Sequence, residues 1–423
     1  MTPLVTASGK LLPPAGPVRA LTVATLASRF GRGLFYTIAP LYLTRVIGLS
    51  VGSVALGLTV ASLAGLLAGI PTGYLADRLG PRRMRIVCRS IEGLLLCGYL
   101  VIRDFPTFLA VASLVTFFES AGQAAEGALI AGSVPADERV RARAYLRSVT
   151  NAAWAVGAAA AGAALLSDTR AAYLVIILIA AISYLVSAWA TRGVPPVPPA
   201  PHVHKGPRLV ALRDRPYLTL TLLNGVLGMN LGLFTVALPL YISQRTQAPV
   251  VLYSLISLVN TLAVTFLQVR ASRGTGTVEG AATAQLRSGL LLFLCCAFFA
   301  VADGTPAGIA IAFLLLGACA HVAGELLQAA GSWGISFELA PDGMQGQYQG
   351  LYGMGRDLGQ VLTPLVTVTL MIDFGWPGCL ALGVLFLAAG LTVRFAARWA
   401  SASAAARHET SKGVQSHPGR ARP

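Results

Sequence analysis

The chain has 423 residues, of which 55% are hydrophobic and only 12% charged, against roughly 25% charged residues in a soluble globular domain. A soluble fold of this length would lack the polar surface to cover itself, and the mean hydropathy of +0.69 points to a chain that meets lipid. The formal charge of +15 is spread between apolar segments rather than along one basic face, which argues against a nucleic-acid partner.

A bilayer core of about 30 Å takes roughly 20 apolar residues per helix. Residues 1–18 precede the first such segment and are expected to form a cytoplasmic N-terminal stretch; they do not read as a cleavable signal, because the apolar segment that follows is too long and holds Arg29 and Arg32. Six apolar segments then fall near 19–46, 51–76, 84–102, 106–133, 144–166 and 171–191. Residues 192–216 contain VPPVPPAPHVHKGPR, whose prolines favour an extended linker. Six more segments fall near 217–243, 250–269, 285–302, 306–337, 347–372 and 376–398. The tail, 399–423, is small, polar and basic, and is expected to be disordered. The fold class expected is therefore all-α integral membrane, with twelve transmembrane helices in an N-terminal bundle (19–191) and a C-terminal bundle (217–398).

Basic residues in the connections set the orientation. One side carries Arg78, Arg82, Arg83, Arg85 and Arg89, then Arg139, Arg141, Arg143 and Arg147, then the basic linker; the other holds only Arg45, Arg103, Arg170 and Arg245. Both termini are expected in the cytoplasm, in an inner membrane. The six cysteines (Cys88, Cys97, Cys295, Cys296, Cys319 and Cys379) form no ligand pattern, so no metal and no cofactor are expected. The partners expected are membrane lipid, a small-molecule substrate and protons, with the chain itself a monomer.

The two sets of segments repeat one another. LFYTIAPLYLT (Leu34 to Thr44) is echoed by LFTVALPLYIS (Leu233 to Ser243), and VPADERVRARAYLR (Val134 to Arg147) more loosely by LAPDGMQGQYQGLY (Leu339 to Tyr352). Parallel six-helix repeats make a pseudo-two-fold bundle with a site at the interface.

Between the second and third segments the chain reads GYLADRLGPRRMR. Gly73, Asp77, Arg78, Gly80, Arg82 and Arg83 match, residue for residue, the first cytoplasmic loop of the major facilitator superfamily, and within it the chain most resembles bacterial drug and metabolite:proton antiporters. The resemblance implies alternating access, with this loop as a latch between the halves against the eleventh span. Asp77 stands where a carboxylate meets the positive N-terminus of a neighbouring helix, and Gly65, Gly69 and Gly73 allow close packing. Three features differ from the family pattern. The second-half loop, ASRGTGTVEG, has no acidic residue before its arginine. Span 4 carries Glu119 and Glu126 in place of the usual arginine, and span 5 reads AVGAAAAGAAL without a Gly-Pro step.

Ionisable groups in the bilayer cost about 2.5–3.5 kcal/mol at mid-span on insertion scales, so they face a cavity or a partner. On span 4, Glu119, Gln123 and Glu126 share one helix face, and on span 10 His321, Glu325 and Gln328 repeat that spacing. Desolvation favours a neutral carboxyl, the property that proton coupling needs, so Glu119, Glu126, Glu325 and His321 are the coupling candidates. Arg29 or Arg32 is their expected counter-charge; a fixed ion pair between spans 1 and 4 fits the same residues. Asn151, Trp154, Asn224, Asn230 and Trp333 join them as cavity candidates. Arg356 and Asp357, being adjacent, are expected to pair with other helices rather than with each other.

The function expected is secondary active transport, with proton-coupled export of drug-like or secondary-metabolite molecules. Import or uncoupled facilitation fits the same residues, and a membrane receptor on this fold is the reading from another class. No nucleophile–base set and no phosphate-binding G-x-x-x-x-G-K-[ST] sequence occurs, which speaks against an enzyme.

Overall fold

The computed structural model describes residues 13, 15–165, 169–199 and 210–415. Among them twelve long helical spans are present and no strand. The first six are α1 (Pro17–Leu41, carried on by a π turn over Tyr42–Val46), α2 (Val51–Leu79), α3 (Pro81–Cys97), α4 (Phe105–Ser133), α5 (Ala136–Leu165) and α6 (Arg170–Thr191). The second six are α7 (Arg215–Arg245), α8 (Val251–Ala271), α9 (Val278–Ala302), α10 (Ala307–Glu338), α11 (Gln345–Thr363, carried on by a π segment over Pro364–Asp373) and α12 (Trp376–Gln415).

All twelve expected spans are found, and the differences lie at their ends. α5 begins at Ala136 rather than near 144, with Asp137 and Glu138 in its first turn. α9 begins at Val278 rather than near 285, capped by the Thr277 hydroxyl, which accepts from the Gly280 N–H. Carboxylates and hydroxyls at an N-terminus satisfy its free N–H groups and its dipole. Apolar periodicity therefore marks the part of each helix in lipid, and the capping residues mark where it starts. Helix α12 continues past Trp399 into the stretch expected to be unfolded. The rest of that tail, 416–423, and residues 1–12 and 200–209 of the N-terminal stretch and linker lie outside the described residues.

Eight of these helices are long and apolar enough to cross a membrane on length and composition alone. The other four, α1, α3, α5 and α11, carry the paired arginines of the interior described below. Large apolar side chains such as Leu67, Phe266, Leu365 and Phe395 stand on the outside of the bundle. In lipid that arrangement costs nothing, while every backbone polar group is satisfied inside its own helix.

The two halves pack alike. α1 lies against α5 and α6, α2 against α4, and α3 against α4 and α6; α7 lies against α11 and α12, α8 against α10, and α9 against α10 and α12. The repeat reaches single hydrogen bonds. The Tyr42 hydroxyl donates to the Tyr99 carbonyl at 3.0 Å, and Tyr241, its counterpart in the PLY echo, donates to the Phe299 carbonyl at 2.7 Å. Both echo segments also contain a π turn beside the proline. The turn over Leu233–Ala237 precedes Pro239 and offsets that ring's clash with the preceding turn of helix, whereas the turn over Tyr42–Val46 follows Pro40.

Between the halves α2 packs on α11 and α5 on α8, a pair of contacts related by the same pseudo-symmetry, and α4 and α5 reach α11 and α10. The α2–α11 contact is backbone against backbone. An added Cβ on Gly73 would stand 2.1 Å from the Gly346 carbonyl oxygen, and one on Gly350 2.2 Å from that of Gly69. This contact lies at the end of the bundle where Gly80, at φ 89°, turns the chain from α2 into α3. That end is closed.

Candidate functional site

The closed end is held by the residues of the GYLADRLGPRRMR loop. Asp77 closes the last turns of α2 and faces the N-terminus of α11, where its Oδ1 accepts from the Gly346 N–H at 2.6 Å and its Oδ2 from the Gln347 N–H at 3.0 Å. These are two of the donors that the first turn of a helix leaves free, and the dipole there favours an anion. Arg78 lies over the Tyr74 ring at 4.7 Å, Arg82 donates to the Arg192 carbonyl and Arg83 is exposed. In Asp77→Asn the charge-assisted part of both bonds is lost, worth about 2 kcal/mol. Spin-label distances across the closed end should then show a larger open fraction; an unchanged distance distribution would remove Asp77 from the closure.

Beyond this contact, three ion-pair clusters lie between the helices among the described residues. In the first, Arg32 of α1 pairs with Glu119 of α4. Glu119 also accepts from the Tyr36 hydroxyl at 2.9 Å and from the Gln123 amide at 3.3 Å. The Arg32 guanidinium lies 5.0 Å from the Tyr36 ring and 5.4 Å from that of Trp154, a cation–π arrangement. Asn151 sits one turn before Trp154 on α5. Arg32, rather than Arg29, is thus the paired counter-charge of Glu119.

The second cluster surrounds Glu126. Its carboxylate lies 3.0 Å from Arg143 of α5, 3.4 Å from Arg85 and 4.0 Å from Arg89, both of α3; Arg89 also pairs with Glu92 at 2.6 Å. Arg85 and Arg89 are among the largest fully buried side chains. The sequence reading placed both in a basic loop, and the structure corrects it: they point into the N-terminal half. Their signal was present, since Arg85, Arg89 and Glu92 recur at helical spacing and share one face of α3. The topological explanation of loop arginines concealed it.

The third cluster crosses the halves. Arg147 of α5 pairs with Glu325 of α10, and Arg147 lies over the Trp333 ring at 5.9 Å. His321, one turn before Glu325, places its Nδ1 3.9 Å from that carboxylate, while its Nε2 is 3.0 Å from the Asn230 carbonyl. Its ring stacks on Phe234 at 4.7 Å. Gln328 donates to Asn224 of α7 at 2.9 Å. The i, i+4 contact between Glu119 and Gln123 on α4 is matched by that between His321 and Glu325 on α10.

Arg356 and Asp357 do not behave as expected. They pair with each other at 3.1 Å, and the Arg356 guanidinium also donates to Gln123 of the other half at 3.1 Å. A long arginine side chain can fold back on its neighbour's short carboxylate, which backbone direction alone did not suggest. Between the halves lies a polar cavity whose lining includes Gln123, Arg143, Asn224, Trp333, Gln349 and Arg356. Arg143 and Gln349 were absent from the expected set. No group of three or more metal-ligating side chains occurs among the described residues.

Residues 21–364 match the sequence profile of the Major Facilitator Superfamily. No curated protein matches the chain in sequence. Among solved structures, a bacterial homologue of the iron transporter ferroportin in its outward-facing state is similar over 91% of this chain and 99% of its own, at 15% identity and a TM-score of 0.73. The transporter FucP in an outward conformation is similar over 90% of this chain and 98% of its own, at 12% identity and a TM-score of 0.73. The proton:xylose symporter XylE is similar over 89% of this chain and 94% of its own, at 15% identity and a TM-score of 0.67. At these identities the likeness is one of fold.

Proposed function

The chain belongs to the Major Facilitator Superfamily, and from that premise we propose that it is a proton-coupled secondary transporter that exports small drug-like or secondary-metabolite molecules by alternating access. The family and the apolar helices make it a multi-pass membrane protein that meets lipid and handles a small molecule, and not an enzyme. The rest of the reading is ours: an inner membrane, both termini in the cytoplasm, a monomeric working unit, and the closed end facing the cytoplasm.

The observation that carries the coupling is the Arg147–Glu325 pair. Glu119 and Glu126 find their arginines within the N-terminal half, so opening the closed end does not require those pairs to break. Glu325 finds its arginine in the opposite half. A proton on Glu325 cancels the attraction across the interface and eases separation; loss of that proton restores it. A carboxyl whose ion pair spans two moving bodies ties protonation to conformation, because a ligand shifts an equilibrium only by its differential affinity for the two states. Asp77 and the α2–α11 contact supply the rest of the closure.

Purified protein in liposomes with an internal pH dye tests this reading. Glu325→Gln is expected to abolish proton movement driven by substrate, and uphill transport with it, while downhill exchange and substrate binding persist. Proton movement that survives in Glu325→Gln would exclude that residue. Tracer flux in the parent protein without any proton movement would instead make it a facilitator.

A further inference from the structure

The reading above leaves the charge of the substrate open, and the cavity between the halves bears on it. Resting on that reading, we infer that the substrate is a small organic anion with a planar ring, bound by its acidic group between Arg143 of α5 and Arg356 of α11. Three observations support this.

The first is which charges the interior presents. Arg32, Arg143 and Arg147 each keep 20–23% of their side-chain surface exposed, whereas their partners Glu119, Glu126 and Glu325 keep 5–6%. In each pair the carboxylate is withdrawn behind its arginine. Of these six side chains Arg143 lines the cavity while Glu126 does not, so a molecule there meets guanidinium, a group that takes a carboxylate, sulfonate or phosphate with two parallel hydrogen bonds.

The second is the balance of charge. Apart from Arg147, which pairs across the halves with Glu325, the N-terminal half holds five arginines between its helices (Arg29, Arg32, Arg85, Arg89 and Arg143) against three carboxylates, Glu92, Glu119 and Glu126, among the described residues. Among the described residues, the three side-chain nitrogens of Arg85 and Nε and Nη2 of Arg89 are buried without a hydrogen bond, although both arginines share the Glu126 carboxylate as an ion-pair partner. A net positive charge in a buried cluster is costly, and an anion in the cavity that Arg143 lines offsets it. A cation there would add to it.

The third is the form of the cavity. Arg143 and Arg356 line it from opposite halves. Asp357 also lines the cavity, but it is engaged by Arg356. The side chains of Trp333 and Tyr352 supply flat apolar faces to the same space, suited to stacking on a ring. An anion seated there bridges the halves and relieves the repulsion between two like charges across the interface. It thereby favours the arrangement closed at this end, which in the proposed orientation is the step that carries a substrate outward.

Isothermal titration of the purified full-length protein with benzoate, salicylate and naphthalene-sulfonate, beside tetraphenylphosphonium and ethidium, reads the charge preference. Counterflow of the same compounds in liposomes reads transport. Saturable binding of anions is expected, weakened at least about tenfold in Arg143→Gln and in Arg356→Gln, as for loss of one charge-assisted contact. Arg356→Lys should recover part of it, and Arg103→Gln, on an exposed loop, should change nothing. Neither glutamine variant strands a buried carboxylate, since Glu126 keeps Arg85 and Arg89 and Asp357 is partly exposed. Anion binding without counterflow would uphold the substrate class and sink the transport reading. Counterflow of cations but not anions would do the reverse. Absence of saturable anion binding, or anion binding indifferent to both arginines, would overturn the inference.

Discussion

Replacing Gly346 by alanine is expected to hold the two halves apart at the Gly80 end and to stop turnover. The new methyl carbon would stand 2.2 Å from the Gly73 carbonyl oxygen and 2.7 Å from Oδ1 of Asp77. Neither neighbour is a flexible tip. The first is backbone within α2, and the second is the carboxylate whose bonds to Gly346 and Gln347 join the helices. Relief requires α2 to withdraw, and with it Gly69 from Gly350 one turn further on. Overpacking costs about 1–3 kcal/mol, and loss of the Asp77 bonds adds about 1.5–3 kcal/mol each. A penalty of that size on one state shifts the population by roughly a hundredfold or more. Gly353→Ala is the matched control, because an added Cβ there meets nothing within 4 Å. Pulsed spin-label distances across the closed end should lengthen in Gly346→Ala alone, with flux lost in parallel. Normal distances and normal flux in that variant would contradict the backbone-contact account of closure.

The second large effect concerns stability. Glu126→Gln is expected to destabilise the protein by about 3–5 kcal/mol, the range found when one partner of a buried ion pair is removed. Here one carboxylate serves Arg143, Arg85 and Arg89. Arg89 retains Glu92; Arg85, which has no other carboxylate within 4 Å among the described residues, is left charged and buried. The loss is a large share of the 5–15 kcal/mol that holds a typical domain together. Thermal unfolding in detergent should show a marked fall for Glu126→Gln and partial recovery in the Arg85→Met, Glu126→Gln double variant, because an apolar side chain of similar volume replaces a stranded ion at little cost. A single variant as stable as the parent would show that water or relaxation already screens Arg85. In the proposed cycle Glu126 answers chiefly for stability, and Glu325, paired across the halves, is the carboxylate proposed to follow the conformational change.

The comparison of these two glutamates shows where reading the sequence reached its limit. Glu119, Gln123 and Glu126, with His321, Glu325 and Gln328, were legible as two polar faces because helical spacing is a property of the chain alone. Their partners were not. Arg143 and Arg147 looked like further members of a basic loop, and nothing in that run distinguishes Arg147, which crosses to Glu325, from Arg139, which donates to the carbonyl of Val134.

What the sequence determined by itself is whatever depends on local composition and repetition. Twelve spans follow from apolar length, the duplicated halves follow from the PLY echo, and the loop between α2 and α3 follows from Gly73, Asp77 and Gly80, because each needs only residues close together in the chain. What the tertiary structure decided is the pairing of charges. Arg85 and Arg89 turn inward to Glu126 and Glu92, Arg356 folds back on Asp357 while reaching Gln123, and Arg147 joins halves whose contact residues lie far apart in sequence. Such pairs depend on the rotation of each helix about its axis and on its height against its neighbours. Those quantities are set by packing over whole helix faces, which no single stretch of sequence contains.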